Sequence, residues 1–216
     1  MTVKIDVISD VMCPWCYIGK RNLEAALKLV PDADVEITWR PYQLDPTLPK
    51  TGKDRQQYLT EKFGAENAKS FYERIREAGA ALGIEFKFDD ISVSPNTLDA
   101  HRVIHWAGGQ SAEIQDKLVE RLFELYFLEG GHIGENDILA EAAASAGMDL
   151  AIVKDLLESD SDVEQVNAHI NHAKQMGVTG VPCYVFDNKF AVVGAQGAEQ
   201  LANAIREAIT QNDKAD

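Results

Sequence analysis

Cys13-Pro14-Trp15-Cys16, taken with Val181-Pro182 far downstream, decides the reading of this chain. The first stretch follows an alternating apolar run, Val3, Ile5 and Val7, and opens a helical pattern. That strand-to-helix setting marks a C-x-x-C pair as a redox centre rather than half of a metal site. A cysteine at a helix N-terminus meets unpaired backbone N–H groups and the positive end of the helix dipole, which favour its thiolate. A second cysteine one turn on can attack a mixed disulfide formed at the first. Cys13 is therefore expected to be the exposed, low-pKa attacker and Cys16 the buried resolver. Pro14 suits the first helical turn, where a missing N–H costs nothing.

Outward from this stretch, residues 3–8 read as a strand, a helix runs from about Trp15 to Val30, and Val35, Ile37 and Trp39 alternate as a second strand closing near Pro41. Such a β-α-β opening implies a parallel pair joined by a right-handed crossover. A breaker-rich loop follows from Asp45 to Gly52. The next hundred or so residues are nearly all helical in pattern. Phe71, Ile75, Ala78 and Leu82 mark one helix stopped by Gly83, and Ile84 to Phe88 reads as a short extended run. Ser94-Pro95-Asn96 opens another helix, and Ile114, Leu118, Leu122 and Leu125 mark the next, up to Gly130-Gly131. Residues 135–147, 149–159 and 160–176 give three more. Strand character returns at Cys183 to Phe186 and Phe190 to Val193 around a turn at Asp187-Asn188-Lys189. A last helix ends near Ile209, with Asn212 to Asp216 as a frayed tail. The expected architecture is α/β: a discontinuous sheet domain, residues 1–48 and 170–216, carrying a helical insertion, residues 49–169.

Composition narrows the partners. The chain has 216 residues, 45% of them hydrophobic and 26% charged, as in an ordinary globular protein. Its net charge of −14 argues against nucleic acid or an anionic membrane as partner. No stretch approaches the roughly 18 continuous apolar residues of a membrane helix. Met1 leads through Thr2 straight into the first strand with no secretory signal pattern, so the expectation is a cytoplasmic protein, unless a signal was removed. Reducing conditions there disfavour a purely structural disulfide and favour a working C-x-x-C.

Several segments together resemble a known family. Asp10-Val-Met-Cys-Pro-Trp-Cys-Tyr-Ile-Gly19, Arg40-Pro-Tyr-Gln-Leu-Asp-Pro46, Asn96-Thr97 with Ala100-His101-Arg102, and Gly177-Val-Thr-Gly-Val-Pro182 look like signatures of the DsbA-like thioredoxin-fold family. More narrowly, they resemble its FrnE-like branch, which is grouped with 2-hydroxychromene-2-carboxylate isomerases and kappa-class glutathione transferases. The resemblance implies a thioredoxin fold with an inserted helical domain and a cis peptide before Pro182. It also implies that Val181 and Pro182 present backbone to an extended substrate beside the sulfurs. It suggests that Asn96, His101 and Arg102 line the cleft between insertion and sheet, where His101 or Arg102 could hold a carboxylate. The helices starting at Asn96 and near Ala112 are the candidates for the cleft wall.

The leading functional expectation is a thiol–disulfide oxidoreductase acting through Cys13 and Cys16, with Pro14, Trp15, Val181 and Pro182 around them. Its partners would be disulfide-bearing proteins or glutathione, the latter as substrate or co-substrate, with no required cofactor. The alternative is a glutathione-dependent isomerase or transferase of the related classes, although those relatives use a serine or one activating residue where Cys13 stands. A binding or assembly module is a third class. Cys183 reads as a small buried hydrophobe, with a third exchangeable thiol as the functional reading. His101 and His105, four apart, lack the Glu of an H-E-x-x-H site, and no nucleotide-binding glycine motif is present. Phe71, Tyr72, Phe123, Tyr126 and Phe127 fall at helical spacing and read as core.

Overall fold

In the computed structural model, which describes residues 2–214 apart from the side chains of residues 65, 66 and 68, strand β1 (Val3–Ser9) lies at the centre of the sheet. It pairs parallel with β2 (Val35–Pro41), Val3 facing Val35 and Val7 facing Trp39. On its other side it pairs antiparallel with β5 (Cys183–Phe186), Val7 facing Tyr184. Strand β6 (Phe190–Val193) completes the order β2-β1-β5-β6 through a tight turn in which Asp187 and Asn188 both take positive φ. Short polar residues that tolerate this backbone are what such hairpins require.

Alternation along β1 divides its side chains between two layers. Val3, Ile5 and Val7 join a large core with helix α1 (Pro14–Lys28) and helix α9 (Ala198–Asp213). Ile8 points the other way, into a small cluster with Tyr42, Ala173 and Cys183. Ala173 belongs to helix α8 (Val163–Gln175), so the boundary expected at residue 170 falls within a helix that packs on the sheet. The expected frayed tail is helical through Asp213: Asn212 donates to Asp187 and accepts from Lys189, which ties the end to the β5–β6 turn.

Between β2 and α8 the chain is largely helical: α2 (Arg55–Phe63), α3 (Ala65–Ala80), α4 (Leu98–Gln110), α5 (Ala112–Glu129), α6 (Asn136–Ala146) and α7 (Leu150–Leu157). A two-residue pairing of β3 (Lys53–Asp54) with β4 (Val93–Ser94) was not legible in the periodicity. Residues 84–87 form no strand; Phe86 and Phe88 instead stack on each other and meet Phe127 edge-on.

The insertion is fastened to the sheet through α4 and α5, both of which pack on β2. Tyr17 of α1 stacks on Phe123 with ring centroids 5.0 Å apart. Buried Gln115 accepts from the Trp39 backbone N–H at 2.9 Å and donates to the Trp39 and Ile104 carbonyls. This side chain occupies the N–H and carbonyl of Trp39 on edge strand β2, two groups that would otherwise be free to pair with another chain. Lys20, only 3% exposed, reaches Glu24, Asp116 and Glu120 from α1.

Candidate active site

Cys13 sits at the N-cap of α1 in extended backbone (φ −92°, ψ 112°), with Pro14 following at the first helical position. Its carbonyl accepts from the Cys16 and Tyr17 N–H groups, so the first turn closes around the C-x-x-C. The orphan N–H groups of that turn lie where a sulfur anion at Cys13 would be stabilised. Across from it the Val181–Pro182 bond is cis. The Cys13 thiol points at the Val181 carbonyl, Sγ to O 3.8 Å. The structure thus joins two segments 168 residues apart at one sulfur.

All three cysteines are free thiols and all are buried. Cys13 is 4% exposed and Cys16 1%. The expectation of an exposed Cys13 is therefore corrected: it belongs with Met12 to the buried core, against which half-buried Trp15 and Val181 pack, and little of its surface is left open. Burial pushes the Cys16 thiol well above the ordinary cysteine range, and the neighbouring Cys13 adds to the shift, while the Ser9 hydroxyl and the Asp10 backbone only partly offset it. Cys16 is thus held as a thiol until a base or a developing charge takes its proton. Cys183 faces the opposite side of the sheet, against Ile8 and Ala173, and burial raises its pKa too. It packs as a small hydrophobe.

The remaining residues expected in the cleft have structural tasks. Arg102 is 1% exposed, and its guanidinium donates to Asp99, to the Leu156 and Ser159 carbonyls at the end of α7, and to the Ser161 carbonyl. It is not available to a substrate carboxylate. Asn96 is likewise committed: its amide donates to the Leu48 carbonyl, and its oxygen accepts from Gln43 and from the Leu98 N–H. His101 is buried below the site, Nε2 3.3 Å from Asp10 Oδ1 and poorly aligned for a hydrogen bond. Asp10 itself is fully buried, and its carboxylate accepts from the Leu44 and Met12 N–H groups. His105 turns from His101 to stand 5.6 Å from the His169 ring. Among the described residues no group of three or more His, Cys, Asp or Glu side chains is placed to hold a metal ion.

Three features of the site escaped the sequence reading. Gly19 lets α1 approach the Pro182 loop, because a Cβ there would lie 2.3 Å from the Tyr184 hydroxyl and 2.8 Å from Pro182 Cγ. A glycine in a helix interior, unfavourable by about 1 kcal/mol, was the available signal. Asp10, a carboxylate ending an apolar strand, was another. Tyr72 of α3 gave no such signal, since its spacing is that of a core residue. It is half-buried on α3, which packs on α1, and burial raises its phenol while the neighbouring Arg55 partly offsets the shift.

Comparison with known proteins bears on the family and the fold. The chain is 30% identical over 210 residues to the uncharacterized protein YwbO of Bacillus subtilis (strain 168), covering 95% of this chain and 96% of that one. Among solved structures it is similar to the probable DsbA oxidoreductase SCO1869 from Streptomyces coelicolor, with a TM-score of 0.88, 31% identity, and coverage of 96% and 90%. It also shares its fold with a 2-hydroxychromene-2-carboxylate isomerase, at a TM-score of 0.70 and 17% identity, with 99% of each chain covered. The family model of the DSBA-like thioredoxin domain matches residues 4–206, and the chain belongs to that family.

Proposed function

We propose that this protein is a thiol–disulfide oxidoreductase that works through Cys13 and Cys16 on protein or glutathione-type disulfides. The observation that carries the reading is the asymmetry of the pair. One sulfur sits at a helix N-cap with a thread of surface and a backbone carbonyl beside it, and the other is buried one turn behind with a raised pKa.

In the reducing direction the Cys13 thiolate attacks one sulfur of the substrate disulfide. The substrate S–S bond breaks, one substrate thiolate leaves, and a Cys13–substrate disulfide forms. Cys16 then loses its proton and attacks Cys13 Sγ, so that the second substrate thiolate leaves. The substrate has gained two electrons and the enzyme holds a Cys13–Cys16 disulfide, which a second dithiol must reduce. Oxidation of a substrate dithiol is the same sequence reversed. Val181, half-buried and just outside β5, presents its backbone where an extended substrate can align beside Sγ.

A glutathione-dependent isomerase or transferase has no use for Cys16. Reduction of insulin by the protein with dithiothreitol as electron source separates the readings. Activity should vanish in Cys13→Ser. In Cys16→Ser it should stall at a trapped mixed disulfide visible by mass spectrometry. Full turnover by Cys16→Ser would overturn the dithiol mechanism.

A further inference from the structure

Two buried hydroxyls on the face of the sheet beneath α1 have no hydrogen-bond partner among the described residues: Ser9 at the end of β1 and Tyr184 in β5. Ser9 is 4% exposed and Tyr184 is fully buried. An unpaired hydroxyl in the interior is destabilising, so each orphan calls for a reason. Alanine at position 9 and phenylalanine at position 184 would fill much the same space without it. The Tyr184 hydroxyl also lies 2.3 Å from where a Cβ on residue 19 would stand, so it fits because α1 carries a glycine in its interior. Two departures from local preference thus meet at one point, and such points are where function is expected.

Strand register brings both hydroxyls to the redox helix. Val3, Ile5 and Val7 of β1 face α1, and Ser9 continues that row. Tyr184 stands opposite Val7 on the antiparallel partner strand and shares its face. The buried stripe of α1, Cys16, Gly19, Leu23 and Ala26, covers this face. Gly19 lies against Tyr184 and Pro182, and Cys16 is one turn nearer the helix N-terminus, toward the Ser9 end of β1. The Ser9 hydroxyl lowers the Cys16 pKa against the pull of burial, yet it makes no aligned hydrogen bond while Cys16 is a thiol. Burial holds the Tyr184 phenol far above its ordinary range, and Cys16 is the sulfur that adds most to the shift.

We propose that the Ser9 and Tyr184 hydroxyls are the donors that hold the negative charge of Cys16 while it resolves the mixed disulfide. The inference rests on the redox reading and adds to it the groups that make a buried resolver reactive. Cys16 Sγ gives its proton to water and attacks Cys13 Sγ. The Cys13–Cys16 bond forms and the Cys13–substrate bond breaks, and the departing substrate sulfur takes the electron pair and then a proton. Neither hydroxyl is consumed. A thiol is a weak acceptor, so both stand unpaired in the reduced protein, whereas a thiolate accepts strong, charge-assisted bonds.

Stopped-flow reaction of the reduced Cys183→Ala protein with Ellman's reagent separates the two steps. Attack by Cys13 releases one thionitrobenzoate, and resolution by Cys16 releases a second. Tyr184→Phe and Ser9→Ala in this parent should each slow the second release about ten-fold or more, the loss expected for a hydrogen bond to a charged group. The pH at which that release accelerates should rise by about one unit. The first release should be little changed, and Tyr184→Phe should melt no lower than the parent. A merely structural role would slow both releases or lower the melting temperature while leaving the pH profile in place, and that result overturns the inference. If the second release keeps its rate and profile in both variants, the inference falls and the dithiol mechanism stands. A parent protein that releases only one thionitrobenzoate overturns both. Should one variant not fold, the other decides.

Discussion

At the scale of single residues, position along the chain and environment part company. Cys13 and Cys16 are one helical turn apart, yet burial and the adjacent sulfur act on Cys16 to keep it protonated, while Cys183 is buried on the far face of the sheet. Iodoacetamide applied to the reduced protein at neutral pH should therefore carboxamidomethylate Cys13 first and Cys16 and Cys183 slowly. Peptide mass spectrometry reads the order, and early labelling of Cys16 would reverse the roles of attacker and resolver. Arg102 gives the complementary case. Sequence alone placed it beside the cleft, because its neighbours Asn96 and His101 resemble a family signature. Its real partners, the carbonyls at the end of α7, lie more than fifty positions away, and no local pattern encodes them. Arg102→Lys replaces a forked donor by a point charge and leaves buried carbonyls unmatched. It should cost about 2–4 kcal/mol in urea denaturation. Disulfide reduction by the folded variant should match the wild type, and a selective loss of catalytic efficiency would return Arg102 to the cleft.

At the scale of elements, the strands and the redox helix were legible because their signals are local: alternation in β1 and β2, the proline after Cys13, and the turn residues between β5 and β6. The helices of the insertion were legible as periodic runs, but not the faces they present. The β3–β4 pairing and the aromatic cluster of Phe86, Phe88 and Phe127 depend on segments meeting across dozens of residues. The approach of α1 to the Pro182 loop is such a meeting, and Gly19 makes it possible. By helix propensity alone, Gly19→Ala should stabilise α1 by about 1 kcal/mol. The methyl group would, however, sit 2.3 Å from the Tyr184 hydroxyl and 2.8 Å from Pro182 Cγ, and overpacking of this kind costs roughly 1–3 kcal/mol. The steric cost wins. Gly19→Ala should lower the melting temperature, and by pushing Pro182 and Val181 away from Cys13 it should reduce catalytic efficiency about ten- to a hundred-fold. A variant that is more stable and fully active would show that the two elements are not held at this distance.

At the scale of the molecule, the sheet and the insertion are held together by a charged cluster as well as by the Tyr17–Phe123 stack. Burial alone would lower the Lys20 pKa, but Asp116, Glu24 and Glu120 outweigh it and hold the ammonium above its usual range. Burial would likewise raise Glu24, and its hydrogen bond and attraction to Lys20, with help from Arg21, bring it below the ordinary carboxyl range. The signs then fix a window. The stability contributed by Glu24 is complete above the unfolded glutamate value of about 4.3 and is lost as pH falls through its lower folded value. The contribution of Lys20 is complete below the unfolded lysine value of about 10.4 and is lost as pH rises through its higher folded value. Between those limits Lys20→Gln removes the central cation from three carboxylates. Those partners keep some contact with water, so the cost should be about 3 kcal/mol, at the low end for a broken buried pair. For a chain of this size that is a fall of roughly 6–12 °C in melting temperature. As pH falls through the lowered Glu24 value that carboxylate becomes neutral, and the buried wild-type lysine loses a counter-charge. The gap between wild type and variant should therefore close under acid, and melting curves followed by circular dichroism across that range test it. A gap that stays constant with pH would mean that Lys20 acts by packing its methylene stem and not by its charge.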